Sequence, residues 1–309
     1  MNGSPEISRI FNEINQSYTQ RQELLKSWGK INGDRNVVAY FSSFQQDDAM
    51  IVDSDRDILE ELLAKMDHTK ALDLILNSPG GEPLAAERII QVCRAYCTQF
   101  RVVVPKLAKS AATMIAFGAD TILLGETSEL GPIDPQMRYI DQRGQIVARS
   151  ADSILKGVDK ILKQIQSLPG NSRIEGLLSL LPPVDQPFLE YCRIAQELSK
   201  DIAIRYLKTT TFQSLADKKI SEDDSTDCIE NRIKKFLMPE ETFSHGRPIT
   251  YLEAQRIGLK VELISKTDPL WDLLLKIYSR TNFVVQNSPQ IIKLIESPEN
   301  SFSASTNPR

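Results

Sequence analysis

Between residues 35 and 124, short apolar runs alternate with amphipathic stretches. This alternation limits the possible folds more than any other feature of the 309-residue chain. Arg35–Phe41 (RNVVAYF), Leu72–Leu76 (LDLIL), Phe100–Val104 (FRVVV) and Thr121–Leu124 (TILL) read as strands. Residues 53–66 and 83–96 carry apolar side chains at helical spacing, with Asp53 or Ser54 as N-cap of the first. Ser110–Phe117 opens a further short apolar helix. Strands that alternate with helices need crossover connections, so the expected class is α/β, a mostly parallel sheet flanked by helices. Such sheets take their ligands at the carboxyl ends of the strands.

The flanks are less regular. Residues 5–28 place Ile7, Ile10, Phe11, Ile14, Tyr18, Leu24, Leu25 and Trp28 at roughly helical spacing before the turn signals Gly29 and Asn32-Gly33. Residues 1–33 therefore read as an N-terminal helical arm outside the main domain, which spans 34–280. Downstream, YIDQRGQIVA reads as a small hairpin around Arg143-Gly144, 150–168 as an amphipathic helix, LPPVDQP at 181–187 as a break, and Phe188–Leu207 as a long helix. Short helices are expected within 213–237, with SEDDSTD as a solvated loop. Thr250–Ile257 reads as a helix ended by Gly258 and followed by the strand LKVELIS. Residues 281–309, ending SPENSFSASTNPR, read as a partly disordered tail.

Composition excludes several function classes. A net charge of -4 is not the basic footprint of a nucleic-acid binder. Cys93, Cys97, Cys192 and Cys228 form no CxxC pair and read as reduced, small apolar side chains rather than zinc or redox ligands. No run reaches the ~18 apolar residues that span a bilayer, and the first thirty residues lack the apolar core of a signal peptide. The expectation is a cytoplasmic protein with no integral membrane segment. Neither a P-loop nor a dinucleotide-binding glycine pattern is present, so no cofactor is expected.

Three features stand in order within 72–136. A strand runs into Asn77-Ser78-Pro79-Gly80-Gly81, where two glycines can turn the backbone and leave N–H groups for an oxyanion. Taken alone, this is also how an ordinary strand-to-helix turn looks. Lys109-Ser110-Ala111-Ala112 then opens a helix of small residues. Ser110 there is either a helix cap or a hydroxyl exposed beside the glycine turn. Lastly, Ser128-Glu129-Leu130-Gly131-Pro132-Ile133-Asp134-Pro135-Gln136 is a rigid loop, in which Asp134 could orient a base or simply cap a turn.

With SPGG, KSAAT, SELGPIDPQ and a late HGRPIT in this order, the stretch from about 35 to 265 resembles the Clp peptidase and signal-peptide-peptidase superfamily. More closely, it is similar to the prokaryotic serine dehydrogenase proteinases. The resemblance implies a Clp/crotonase-type fold with repeated β-β-α units. It implies Ser110 as nucleophile and the N–H groups of Gly81 and Ala111 as oxyanion hole. The family's Ser, Asp, His order falls here on Asp134 and His245. The chain's other histidine, His68, precedes the strand that delivers SPGG and so lies at the wrong end. Relatives that use a Ser–Lys dyad make Lys156 the alternative base, with Lys160 nearby and Lys109 expected to point away.

The resemblance further implies an ATP-independent serine endopeptidase acting on peptides or unfolded protein, working as a homo-oligomer. Two other readings share the fold. One is a catalytically inactive Clp-like binding or assembly module. The other is a crotonase-like acyl-CoA enzyme, disfavoured because that chemistry relies on an acid where Ser110 stands.

Overall fold

The structure, a computed structural model, describes residues 18–141, 143–169, 174–178, 181–182, 185–210, 222–237, 247–288 and 290–305. The strands in chain order are β1 (Asn36–Ser42), β2 (Leu72–Asn77), β3 (Phe100–Val104), β4 (Leu107–Ala108), β5 (Thr121–Gly125), β6 (Glu129–Leu130), β7 (Gln136–Ile140), β8 (Ile146–Ser150), β9 (Ile249–Thr250), β10 (Val261–Ile264), β11 (Ile291–Glu296) and β12 (Ser301–Ser305). The longer helices are α1 (Thr19–Ile31), α2 (Ser54–Leu63), α3 (Pro83–Ala95), α4 (Ala111–Phe117), α5 (Ala151–Gln166), α6 (Gln186–Thr209), α7 (Glu222–Arg232), α8 (Tyr251–Ile257) and α9 (Pro269–Asn287).

A seven-stranded sheet has the order β10-β5-β3-β2-β1-β11-β12. Its first five strands are parallel, and β11 and β12 add antiparallel at one edge. Both faces are covered, so successive side chains enter different cores. Val38, Tyr40, Leu74, Leu76, Val102 and Val104 point to the layer that holds Leu59 and Leu62 of α2, Ile89 of α3, Ile115 of α4 and Ile202 of α6. Val37, Ala39, Phe41, Ile75 and Val103 point to the other layer, with Trp28 of α1 and Trp271 and Leu274 of α9. Full burial of each large apolar side chain contributes about 1.5–3 kcal/mol, so the two faces together fix the strand register. The result is the mixed α/β fold with a mostly parallel central sheet that the sequence predicted.

Three sequence expectations are corrected. Helix α1 does not stand outside the domain: Trp28 is fully buried, and its indole N–H donates to Asp73 of β2 at 2.8 Å. Residues 281–309 are not a loose tail as far as they are described, because α9 runs on to Asn287 and β11 and β12 join the sheet. Within the apolar run IIKLIE of β11, Lys293 is buried and held by Asp55. The SEDDSTD stretch is helical from Glu222, opening α7, while 211–221 lie outside the described residues. The hairpin, in contrast, forms as β7 and β8, and α5 and α6 fall where periodicity placed them. No helix among the described residues is long and apolar enough to cross a membrane.

Candidate active site

The chain beyond β2 continues as an extended segment held on both sides. On one side, Ser78 N–H donates to Leu107 O at 3.0 Å, and Lys109 N–H donates to Ser78 O at 3.0 Å. On the other, Ile51 N–H donates to Gly80 O at 2.8 Å, and Glu82 N–H donates to Ile51 O at 2.9 Å. That pattern turns the Gly81 N–H away from Ile51. Neither it nor the Ala111 N–H has an acceptor among the described residues.

Both glycines are required by contact, and Gly80 by its backbone conformation as well. Gly80 has φ +108, and a Cβ there would sit 2.6 Å from Lys109 O and 2.7 Å from the Ser110 Cβ. A Cβ at Gly81 would sit 2.2 Å from Ile51 O. The backbone of 80–81 therefore lies directly between Ile51 and the 109–111 turn.

Ser110 sits on that turn with φ 50 and ψ -120, conformationally costly for a residue with a side chain. It occupies the N-cap position of α4, yet its hydroxyl makes no capping hydrogen bond. The cap reading of Ser110 is thereby removed. A strained, half-buried serine between a strand and a helix has the backbone geometry of a nucleophile elbow. Every residue of α4 behind it is buried, several of them alanines, which lets the helix pack against α3 and α6.

Side chains brace this turn from the next loop. Thr113 Oγ1 lies 2.8 Å from Ala108 O and 3.0 Å from Gly131 O, and it accepts the Gly131 N–H at 3.1 Å. Lys109 reaches Glu129 at 2.8 Å and Leu130 O at 3.3 Å, pointing into the loop. Its ammonium is thus committed to a carboxylate. Ser128 Oγ accepts the Gly125 N–H and donates to Pro105 O, both at 3.0 Å. Asp134, at the end of this loop, is buried and accepts from the Gln136 amide at 2.8 Å. It borders a pocket of about 160 Å³ shared with Asp152, Ser199 and Glu230.

Of the residues picked from sequence, the structure brings Ser110 and Ala111 against Gly80, the chain neighbour of Gly81. His245 lies outside the described residues. The chain re-enters the described set at Arg247, and β9 pairs with β6, Ile249 opposite Leu130, while β6 pairs with β4. Lys156 is bound to Asp152 of its own helix at 2.9 Å. His68 sits at the surface with Nε2 3.1 Å from Leu63 O, edge-on to Tyr96. Sequence reading missed Ile51, the residue that clasps the glycine strand. Its only signal was a short apolar run, Ala49-Met50-Ile51-Val52, after the acidic Asp47-Asp48.

A doubly covered parallel sheet, a strained serine beyond its carboxyl edge and two N–H groups without an acceptor among the described residues make up the candidate site. Residues 49–167 match the family of ClpP-like SDH-type serine proteinases, and this stretch contains the glycine strand, the serine turn and the Asp134 loop. An uncharacterized protein of Methanocaldococcus jannaschii is 30% identical over 195 residues, which cover 62% of this chain and 54% of that protein. A second uncharacterized protein of that organism is 36% identical over 66 residues, covering 21% of this chain and 23% of its own length. The chain thus spans about half the length of the first of these relatives and less of the second. A solved membrane-bound stomatin-specific protease overlaps 43% of this chain and 65% of its own, at 20% identity and a TM-score of 0.29.

Proposed function

We propose that the protein is a serine endopeptidase in which Ser110 attacks the peptide carbonyl. The observation that carries this reading is the strained, uncapped Ser110 pressed against the backbone of Gly80-Gly81. A base takes the hydroxyl proton as Oγ bonds to the carbonyl carbon, and the oxyanion that forms is received by the N–H groups of Gly81 and Ala111. Each such donor is worth about 3 kcal/mol in the transition state. The proton then passes to the leaving amine, and water, deprotonated by the same base, hydrolyses the acyl-enzyme.

His245 is assigned as the base and Asp134 as the acid that orients it. Asp134 is buried and already accepts a hydrogen bond, which suits a fixed carboxylate. Lys156 is the alternative base, although its ammonium is taken by Asp152. Peptides or unfolded protein segments are the assigned substrates, with the sites presented inside a homo-oligomer. No step calls for a metal or nucleotide.

The test is labelling with a fluorophosphonate probe, the adduct located by mass spectrometry. Wild type is expected to be modified at Ser110, and Ser110→Ala not at all. Loss of labelling in His245→Ala but not in Lys156→Ala supports His245 as base, and the reverse pattern transfers the role to Lys156. Folded wild type that takes no label would overturn the peptidase reading in favour of a binding module.

A further inference from the structure

We propose that Lys293, on the next-to-last strand, is a positioning residue that holds the oxyanion-binding strand in place through Asp55 and the 50–52 segment. This rests on the peptidase reading above, but its structural half can be tested without it. Lys293 is 2% exposed and stands opposite Ser42 in the β1–β11 ladder. Its three N–H donors have three acceptors: the buried Asp55 Oδ1 at 2.8 Å and Oδ2 at 2.7 Å, and the partly buried Met50 O at 2.8 Å. Asp55 Oδ2 also accepts the Val52 N–H at 2.9 Å and the Tyr40 hydroxyl at 2.7 Å. Burial, and then the Asp55 charge, push the Tyr40 phenol well above its ordinary value, so it remains a donor.

The consequence lies in which backbone groups are caught. Met50 is fixed through its carbonyl and Val52 through its N–H, so the residue between them cannot shift along the chain. That residue, Ile51, makes both hydrogen bonds to the glycine strand, to Gly80 O and from Glu82 N–H. The strand has no slack on that side, since a Cβ at Gly81 would meet Ile51 backbone atoms at 2.2–2.7 Å. A displacement at Lys293 is therefore passed through one rigid residue to the Gly81 N–H.

An apolar replacement could fill the same volume without the desolvation cost of a buried ion pair. It could not donate to Met50 O or accept from Val52 N–H. Polar atoms are needed here for placement. Lys293 also lies far outside the segment 49–167 that matches the peptidase family.

The test compares wild type, the double variant Lys293→Met with Asp55→Leu, and Lys293→Arg. The double variant removes both charges together and so avoids the uncompensated charge that would unfold a single variant. Three properties are read: the urea midpoint, the rate of fluorophosphonate labelling at Ser110, and amide exchange at Ile51 and Glu82. A lower midpoint is expected, because the Tyr40 hydroxyl and the Val52 N–H lose their acceptor, with labelling of the folded protein slowed by about ten- to a hundredfold, the scale of a small misplacement. Faster exchange is expected at Ile51 and Glu82 but not at Ile122, which donates to Lys260 O at the far side of the sheet.

Lys293→Arg keeps the charge but presents a planar fork, and it is expected to fold and to slow labelling by about tenfold. If the double variant does not fold, Lys293→Arg decides alone. Wild-type labelling and wild-type exchange in the folded variants would overturn the inference. If wild type itself takes no label, the peptidase reading fails separately and the exchange rates alone judge whether Lys293 clamps Ile51.

Discussion

Ser110 and Gly80 form a matched pair, one residue accepting strain so that the other can touch it. Ser110 has a positive φ although it carries a side chain, and Gly80 has a positive φ because nothing larger fits. Gly80→Ala would combine backbone strain, on the order of 1–3 kcal/mol, with a Cβ pressed on Lys109 O and Ser110. The expected outcome is a loss of more than about 2 kcal/mol in urea unfolding, together with slower labelling of Ser110. Gly33 is the control. It too has a positive φ, 86, but a Cβ there would meet nothing within 4 Å. Gly33→Ala should therefore cost only the backbone strain, about 1–2 kcal/mol, and leave labelling unchanged. Equal losses in the two variants would show that close approach at Gly80 is unimportant.

At the scale of elements, buried carboxylates tie the outer pieces to the sheet. Asp73 of β2 has no exposed surface and is held by Arg35 before β1, by Arg101 of β3 at 2.6 Å, and by the indole of Trp28 on α1 at 2.8 Å. Removing the acid leaves the indole N–H without an acceptor and two guanidinium groups facing each other without their shared counter-charge. Asp73→Ala is expected to destabilise by about 3–5 kcal/mol, read by urea unfolding. Arg21 of α1 plays the converse part, reaching Glu296 at the end of β11 at 2.7 Å. These contacts explain why α1 and the last strands, unreadable as part of the domain from their own residues, nevertheless belong to the sheet. Neither segment carries its partner within a few residues. Asp73 and Trp28 are 45 positions apart, and Arg21 and Glu296 are 275.

The molecule as a whole buries several acids that must stay protonated. Burial pushes Cys97 up to about 11 from an ordinary value of 9.0. Burial, with smaller contributions from nearby carboxylates, pushes Tyr18 up to about 12 from 10.0. Cys93 and Tyr40 are raised in the same direction by burial. In every case the folded state holds its proton more tightly than the unfolded chain. The stabilisation is then complete below about pH 9 and declines as pH rises through 9 to 12, where the unfolded chain releases protons first. The urea midpoint should therefore be lower at about pH 10.5 than at about pH 8. A midpoint that holds or rises would contradict the assignment. The same raised values predict that Cys93 and Cys97 resist alkylation in the folded protein near pH 8, because little thiolate is present.

Local information determined much of this protein. Apolar alternation placed β1, β2, β3 and β5, and the helices between them, because burial on two faces writes its period into the chain. Glycine and proline marked the two turns of the site, because few other residues permit those conformations. Tertiary structure decided what depends on distant partners. It showed that Ser110 is not a cap, since that turns on a hydroxyl's neighbours rather than on its position. It turned Lys109 and Lys156 toward carboxylates. It also buried Lys293, because the carboxylate that makes its burial tolerable stands 238 residues earlier in the chain.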